Sequence, residues 1–549
     1  MTAIRGAVES LRAFGAVFAN PSLRRLQLAG IGSTIGTWAY GVGLAVYAYE
    51  SGGAKTVGLV YFARWGAAAL AAPWLGLLAD RFSRRRVMVL ADVVRACLLG
   101  GMAACAAADT GIWPVFALAV LASITSMVFA PAEGALLSSL VSTPEELTAA
   151  NAVMNTVGSV GMFAGPAFGG LLLAASGPSL VFAVTAASFV WSALCLVRIP
   201  RDAPKAADEP EPMVAALLGG FRAIAAEPAL RVVVGLTGLQ TLVAGTFEVL
   251  LVVYALRILS AGSSGVGWLN AAVGIGGVLG VVAVAALAGR KRLAGDLGLG
   301  VVLWGLPLAL AAVWTNLAFA LVLFGVIGLA NTVVDVAGLT LLQRSADDEV
   351  LGRVFAVLES LVMATLAVGA LTAPALVSLI GVKTTLVVVG VFLPVLLVPL
   401  WPLLRRVDAA GRIATEPLEL LRAIPMFALL PPPALERLAS AAREVRAYPA
   451  AVVVTQGEPG DVFYVIASGT AVVELDGDEV ARLGPGDFFG EIALLREVPR
   501  TATVRAVDEL RLYALGRDAF IPAVTGHAPS REAADSVVAA ARLPAGVTL

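Results

Sequence analysis

A run of residues near the C-terminal end of the chain combines side chains suited to binding an anion beside a hydroxyl group. It reads Phe489-Gly-Glu-Ile-Ala-Leu-Leu-Arg-Glu-Val-Pro-Arg-Thr-Ala-Thr-Val504. Gly490 lets the backbone approach a ligand, and the short helix predicted after it points N-terminal N–H groups at an anion. Arg500 offers a charge-assisted contact to a phosphate, and Glu491 accepts a hydrogen bond from a hydroxyl. The run therefore predicts a pocket for a phosphate with a neighbouring hydroxyl.

Over its whole length this run resembles the phosphate-binding cassette of cyclic nucleotide-binding domains. The resemblance implies a regulatory cyclic nucleotide, with Arg500 on the cyclic phosphate and Glu491 on the ribose 2′-hydroxyl. cAMP is favoured over cGMP, although the Thr501 hydroxyl is also compatible with guanine. The predicted binding residues are Gly490, Glu491, Ile492, Ala493, Arg500, Thr501 and Ala502. The alternative is a β-roll that has lost its ligand.

The elements that must hold this pocket are helices followed by short strands. Residues 416–445 are predicted to be helical, and turns are predicted at Gly457-Glu-Pro-Gly460 and Asp476-Gly477. Strand patterns occupy 450–455, 462–467, 470–475, 479–483, 501–507 and 510–515. They predict an α+β domain, a β-roll with flanking helices, over 425–549 after a linker at 405–424.

The rest of the chain is apolar enough to cross a membrane many times. Of its 549 residues, 59% are hydrophobic and 14% are charged, whereas about a quarter of a soluble chain is charged. Windows of roughly 20 apolar residues predict twelve transmembrane helices and hence an all-α membrane fold in two six-helix halves. The predicted spans are 26–49, 57–79, 87–107, 112–140, 152–175, 179–198, 231–258, 265–288, 295–314, 317–342, 354–379 and 384–403.

The loops between these spans set the domain boundaries and the orientation. Arginine and lysine follow the even-numbered spans, and such loops are cytoplasmic. The sequence thus predicts a multi-pass protein of the bacterial inner membrane, with both termini and the nucleotide-binding domain in the cytoplasm. The predicted segments are a cytoplasmic 1–22, a first half at 23–199, a linker at 200–230 and a second half at 231–404.

Two glycine-containing motifs give this membrane region a family resemblance. Gly76-Leu-Leu-Ala-Asp80-Arg81-Phe-Ser-Arg84-Arg85 resembles the loop between helices two and three of major facilitator transporters. The resemblance implies a conformational latch made of Gly76, Asp80, Arg81 and Arg85. The alternative is a merely basic cytoplasmic loop.

The second motif resembles the signature of the exporters of that superfamily. It is Gly161-Met-Phe-Ala-Gly165-Pro166-Ala-Phe-Gly169-Gly170, in which small residues permit close helix packing and proline bends the helix. Residues 23–29 and Gly36-Thr37-Trp38 are similar to the subgroup that includes macrolide and siderophore exporters, except that Thr37 replaces a carboxylate. The resemblance implies export, and generic glycine packing is the alternative.

Ionisable residues inside the spans are candidate functional groups because burying a charge in a membrane is costly. The candidate coupling or cavity residues are Glu133, Asp335, Asn331, Glu248, Glu359 and Trp38. Glu133 and Asp335 are expected to serve proton or substrate coupling; the alternatives are gating salt bridges and water-exposed positions near the cytoplasmic mouth. Asp92 and Arg95, spaced i, i+3, predict a local salt bridge, whereas Arg64 and Arg257 are expected to pair or to snorkel.

These features favour a secondary active exporter of a small amphipathic or lipid-like molecule, regulated by cAMP. The expected partners are the lipid bilayer, a small-molecule cargo and the cyclic nucleotide. No enzyme, metal site or nucleic-acid partner is expected, because the chain has no P-loop, one histidine, three separated cysteines and a net charge of −1. A membrane-anchored sensor without transport, and the nucleotide itself as cargo, are the competing hypotheses. No oligomeric state follows from the sequence.

Overall fold

The computed structural model describes residues 15, 17–141, 144–200, 213–287, 293–345, 348–410, 415–526, 530–534 and 536. The chain divides into two compact units, Met1–Asp408 and Ala409–Leu549. The first unit is helical, and the second contains antiparallel sheets with helices beside them.

The first unit consists of twelve described helices of unequal length and one π-helical turn. They are α1 Pro21–Arg81, α2 Arg84–Ala107, α3 Ile112–Ser126, α4 Phe129–Leu140, α5 Pro144–Val197, α6 Met213–Ala226, α7 Pro228–Val253, the π-helical turn Tyr254–Ile258, α8 Gly262–Leu287, α9 Leu293–Ala311, α10 Leu317–Ser345, α11 Asp348–Ile380 and α12 Val382–Ala410. Within the predicted linker 200–230, residues 213–226 form α6, whose Gly219 and Gly220 lie against Arg353 of α11.

Eight helices of the described residues are long and apolar enough to cross a membrane. This count is lower than the predicted twelve spans. Predicted spans five and six lie in one long helix, Glu146–Val197, and the helix at predicted span nine, Gly295–Ala311, is shorter than the others. The helix α1, which contains predicted spans one and two, is not among the eight. Gly52 and Gly53 have non-helical backbone angles inside α1, between predicted spans one and two. Ser176 and Gly177 form a similar break inside α5, between predicted spans five and six.

A buried ion pair joins three of these helices. Arg95 Nη1 lies 3.2 Å from Asp92 Oδ1, which confirms the predicted salt bridge within α2. Asp92 also accepts a hydrogen bond from Ser192 of α5 at 2.5 Å, and Arg95 donates to Thr37 of α1 at 2.8 Å. The Arg95 guanidinium carbon lies 3.8 Å from the ring centroid of Phe189. Because both charges have several partners, their desolvation is compensated inside the helix bundle.

The second unit contains two four-stranded antiparallel sheets with strand orders β1-β8-β3-β6 and β2-β7-β4-β5. Its elements are α13 Thr415–Ala423, α14 Pro425–Ala428, α15 Pro432–Ala441, β1 Arg443–Ala447, β2 Val452–Val454, β3 Val462–Ser468, β4 Ala471–Leu475, β5 Asp478–Leu483, β6 Phe488–Phe489, α16 Glu491–Arg496, β7 Thr503–Ala506, β8 Leu510–Gly516 and α17 Arg517–Thr525. The predicted domain of strands with flanking helices is thus confirmed.

Strands β3 and β8 lie in the first sheet and contribute to two apolar layers. Ile466 and Leu512 pack with side chains of the second sheet, such as Val504. Phe463 and Leu515 pack instead with the flanking helices. The sequence of β3 is therefore apolar at nearly every position, as expected for a strand with both faces buried.

The structure corrects the predicted boundary between the helices and the strands. The prediction of helix as far as residue 445 is wrong, because α15 ends at Ala441 and β1 begins at Arg443. β1 lacks a hydrophobic pattern since four of its five residues are exposed. Its pairing with β8, a partner far away in the sequence, makes it a strand. The predicted turn at Asp476-Gly477 is confirmed, and both residues have the positive φ that a tight hairpin requires.

A polar clamp fastens α13 to β8. Glu416 of α13 accepts hydrogen bonds from both terminal nitrogens of Arg511 and, at 2.9 Å, from Tyr513 Oη. The hydrogen bonds from Tyr513 and Arg511 lower the pKa of Glu416. The clamp therefore holds the first helix after the membrane unit against the central strand of the first sheet.

Candidate functional site

The run that is predicted to bind phosphate begins at the end of β6 and continues through α16 to the start of β7. Gly490 has a φ of 96° and caps α16, so the chain turns directly from strand to helix there. A Cβ atom at this position would lie 2.5 Å from Arg500 Nη1 and 2.7 Å from the carbonyl oxygen of Val462. Both the left-handed backbone and the close contact require glycine.

Arg500 is held in place by its side chain and its backbone. The side chain is 7% exposed and donates hydrogen bonds to Val462 O at 2.7 Å and to Gly490 O at 3.3 Å. Its backbone exchanges hydrogen bonds with the turn at Gly457 and Glu458. A guanidinium has five N–H donors, so further donors remain for a phosphate. Burial lowers the pKa of Arg500.

Glu491 is the second charged group of the pocket. It is 8% exposed, and its Oε2 atom is buried without a hydrogen-bond partner among the described residues. Burial raises the pKa of Glu491, against the opposing effects of its own backbone N–H and of Arg500. An unsatisfied buried acceptor costs free energy unless a donor reaches it. A ligand hydroxyl satisfies that requirement.

The remaining predicted residues of the run differ in their exposure. Ala493 is buried, and a Cβ atom on Gly460 would lie 2.6 Å from its Cβ atom. Ile492, Thr501 and Ala502 are partly exposed. The pocket thus combines a fixed cation, an unpaired carboxylate oxygen and accessible side chains, which fits a phosphate ester with a free hydroxyl.

In the membrane unit, the predicted exporter motif lies at a close helix crossing. The contacts pair Gly161 with Thr34, Gly165 with Trp38, Gly169 with Ala39 and Gly170 with Gly267. Pro166 lies within α5, and a Cβ atom on Gly267 would be 2.7 Å from its carbonyl oxygen. The motif therefore fixes α5 against both α1 and α8, with backbones too close for larger residues.

Asp335 ends a hydrogen-bonded chain that spans three helices. Asn331 Nδ2 donates to Asp335 Oδ2 at 2.7 Å, while Asn331 Oδ1 accepts from Gln240 of α7 and Trp304 of α9, each at 3.2 Å. The two donors fix the orientation of the Asn331 amide. The amide in turn orients the exposed carboxylate of Asp335.

The other predicted carboxylates lie in separate places. Glu133 lies against α1, where a Cβ atom on Gly30 would be 3.0 Å from its Oε1 atom. Glu248 accepts a hydrogen bond from Trp65 Nε1 at 3.1 Å. Glu359 is exposed, and Trp38 is 40% exposed beside Gly165. No hydrogen bond recorded among the described residues joins Glu133 to Asp335.

The predicted latch falls largely outside the described side chains. Gly76, Asp80 and Arg81 belong to α1, but their side chains lie outside the described part of the chain. Arg85 is partly exposed near the start of α2.

Comparison with known proteins decides the family. Residues 26–295 match the model of the Major Facilitator Superfamily. A Bacillus subtilis (strain 168) protein described as the uncharacterized MFS-type transporter YfiS is 30% identical over 339 residues, which cover 58% of this chain and 78% of that protein. This chain belongs to the major facilitator superfamily.

The second unit of this major facilitator protein contains a further match. Residues 444–526 match the cyclic nucleotide-binding domain model. The cAMP-dependent protein kinase regulatory subunit of Yarrowia lipolytica is 41% identical over 102 residues, 18% of this chain and 27% of that protein. The chain thus spans about a quarter of the length of that relative. The regulatory domain of Toxoplasma gondii PKA, crystallised with cAMP, is 29% identical over 24% of this chain and 51% of that chain, with a TM-score of 0.22.

Sequence reasoning missed the partners of several predicted residues in this major facilitator protein. Val462 contributes a carbonyl oxygen to the nucleotide pocket, and a backbone carbonyl has no signal in the sequence. Trp65 donates a hydrogen bond to Glu248, and Trp304 donates one to Asn331. In the sequence both tryptophans look like ordinary apolar residues of a span, so these bonds could not be predicted. Sequence reasoning also missed the partner of Arg64, which donates a hydrogen bond to Ser123 of α3.

Proposed function

We propose that this major facilitator protein is a secondary active exporter of a small amphipathic or lipid-like molecule, and that a cyclic nucleotide, preferably cAMP, regulates it. The proposal rests on one observation: the chain contains both the pocket of Arg500 and Glu491 and a major facilitator domain. The fixed guanidinium and the unpaired carboxylate oxygen are complementary to a cyclic phosphate and its ribose hydroxyl.

The proposed membrane topology has twelve spans in two six-helix halves, with both termini and the nucleotide-binding domain cytoplasmic. The breaks at Gly53 and Gly177 support this topology, because each divides a helix that is too long for a single span. We assign the latch role to Gly76, Asp80, Arg81 and Arg85, and the exporter role to the glycines of α5. Asp335 and Glu133 are the proposed coupling carboxylates.

Regulation requires the nucleotide to bind one transport state more tightly than another. The covalent path for this coupling is short. α12 ends at Ala410 and α13 begins at Thr415, and each residue of chain spans at most about 3.5 Å. Because the Glu416 clamp fixes α13 to β8, a movement of the β-roll on nucleotide binding is transmitted to α13.

The direct test is transport by the full-length protein in proteoliposomes. Efflux of a panel of labelled amphiphiles is measured without nucleotide and with cAMP, cGMP or 5′-AMP. The expected result is efflux of at least one amphiphile whose rate changes with cAMP, less with cGMP and not with acyclic 5′-AMP. Transport that no nucleotide alters removes the regulatory proposal. Nucleotide binding without transport of any member of the panel favours the membrane-anchored sensor.

Nucleotide binding is expected to weaken as the pH falls through the pKa of Glu491. Burial raises this pKa, so the loss of affinity begins at a higher pH than it would for an exposed glutamate. A ribose hydroxyl donates to the ionised form, so binding releases a proton and the affinity falls by up to about tenfold per pH unit below the pKa. Titration calorimetry of the full-length protein with cAMP at several pH values measures this slope.

The matched control for this pH dependence is Glu491→Gln, which accepts the same hydrogen bond without titrating. Its cAMP affinity should remain constant over the pH interval in which the wild-type affinity falls. Equal slopes for the two proteins would assign the pH dependence to another group.

A further inference from the structure

Arg64 places a positive charge inside a membrane-spanning segment, in the part of α1 that follows the break. Its Nε atom donates a hydrogen bond to Ser123 Oγ at 2.9 Å. Its guanidinium carbon lies 5.1 Å from the ring centroid of Tyr40 and 5.7 Å from that of Tyr61. These contacts orient the guanidinium plane and contribute cation–π attraction. They do not neutralise its charge.

The terminal nitrogens of Arg64 have no recorded acceptor in the described part of the chain, and no described carboxylate lies within ion-pair distance of them. Glu248, an acid on the facing helix α7, is bound to Trp65 Nε1. Of the five N–H donors of a guanidinium, four therefore remain after the bond to Ser123. Their planar arrangement matches the oxygens of a carboxylate or phosphate.

Tyr40 supplies a second unpaired polar group. Tyr40 is 5% exposed, and its hydroxyl is buried without a hydrogen-bond partner among the described residues. Such a group costs free energy unless a partner is supplied. The rings of Tyr40 and Tyr61 also lie beside Arg64, a lining suited to an apolar body beside a charged group.

This cluster lies near the middle of its helices. Arg64 follows the break at Gly53 by eleven residues, and Ser123 follows the start of α3 at Ile112 by eleven residues. At a rise of 1.5 Å per residue, both lie about 16 Å from those ends, roughly half of a 30 Å hydrocarbon core. The bond between Trp65 and Glu248 joins α1 to α7 at this level. Transporters of this superfamily bind substrate near the midplane, between their halves.

We propose that Arg64, with Tyr40 and Tyr61, forms the binding site for an anionic oxygen group, carboxylate or phosphate, on a cargo with an apolar body. This site rests on the proposed transport function and specifies the class of cargo. The free nitrogens of Arg64 bind the anionic oxygens, and the aromatic rings contact the apolar body.

The test is equilibrium binding to the full-length protein in lipid nanodiscs. The probes are radiolabelled 1-oleoyl lysophosphatidate and 1-oleoyl glycerol, which share an acyl chain and differ by the phosphate. The variants are Arg64→Gln, Arg64→Lys and Ser123→Ala, with Arg257→Gln as the control. Arg257 is an exposed arginine in the π-helical turn at the end of α7.

The wild-type protein and Arg257→Gln are expected to prefer lysophosphatidate by at least about tenfold, a difference of 1.4 kcal/mol. Arg64→Gln should abolish this preference, Arg64→Lys should retain part of it, and Ser123→Ala should weaken it about threefold because it loses one orienting bond. If Arg64→Gln does not fold, the other two variants still test the site.

Three results overturn the proposed site. The first is an unchanged preference in the Arg64 and Ser123 variants. The second is that inorganic phosphate competes for the site as strongly as lysophosphatidate does, because the apolar body would then contribute nothing to binding. If lysophosphatidate binds but is not transported, the proposed site is supported and the proposed transport function is contradicted. Efflux of cationic tetraphenylphosphonium without lysophosphatidate binding would overturn the site alone.

Discussion

Replacing Arg500 with alanine is expected to weaken cAMP binding by at least about 100-fold. A hydrogen bond to a charged group contributes about 1.5–3 kcal/mol, and two contacts to the phosphate therefore correspond to at least two orders of magnitude in affinity. The guanidinium is already fixed by Val462 O and Gly490 O. Its position is thus prepared before the ligand arrives, and little of this free energy is spent on ordering the side chain.

Titration calorimetry with cAMP on the full-length protein measures this loss. Arg505→Ala is the matched control, because Arg505 lies five residues later on β7 and is 40% exposed in a salt bridge with Glu474. It should bind cAMP as the wild-type protein does. Arg500→Lys separates charge from geometry, since lysine keeps the charge but does not reproduce the planar fork. An affinity for Arg500→Ala within threefold of the wild-type value would show that the phosphate binds elsewhere.

The same variant connects the pocket to transport. With Arg500→Ala, cAMP at concentrations that saturate the wild-type protein should leave the efflux rate at its nucleotide-free value. Regulation that persisted after the loss of binding would place the regulatory nucleotide at a second site.

The nucleotide pocket could be predicted from the sequence because its functional groups lie close together along the chain. Gly490, Glu491 and Arg500 lie within eleven consecutive residues, and their types identify the chemistry without a structure. The groups that position them are distant in sequence. Val462, which binds the Arg500 guanidinium, lies on β3, which is held beside the run by its pairing with β6 and β8.

The membrane unit illustrates the same difference between local and distant contacts. The Asp92–Arg95 ion pair was predictable, because residues at i and i+3 share a helix face. Its hydrogen bonds to Thr37 and Ser192 depend on the crossing of three helices. Trp65 and Glu248 are even farther apart in the sequence, and hydropathy contains no information about such pairs.

Adding a single methyl group at Gly267 of α8 is expected to destabilise the membrane unit by about 1–3 kcal/mol, the usual cost of overpacking. A Cβ atom there would lie 2.6 Å from Gly170 Cα and 2.7 Å from Pro166 O. Optimal carbon contacts are about 3.5–4.0 Å, and backbone atoms cannot rotate away. Gly267→Ala must therefore separate α8 from α5, whereas Gly267→Val should be worse because it adds two further methyl groups at the same crossing.

The control for Gly267→Ala is Gly277→Ala in the same helix, which gains the same helix propensity, up to about 1 kcal/mol. A Cβ atom on Gly277 would meet Thr332 Oγ1 at 3.5 Å and Met162 Sδ at 3.8 Å, both ordinary contacts with side chains. Gly277→Ala should thus be neutral or stabilising, and both variants should bind cAMP normally through the second unit. The free energy of unfolding in mixed detergent micelles measures the difference. Equal stability of the two variants would mean that α5 and α8 do not cross at Gly170 and Gly267, and the exporter motif would then need another explanation.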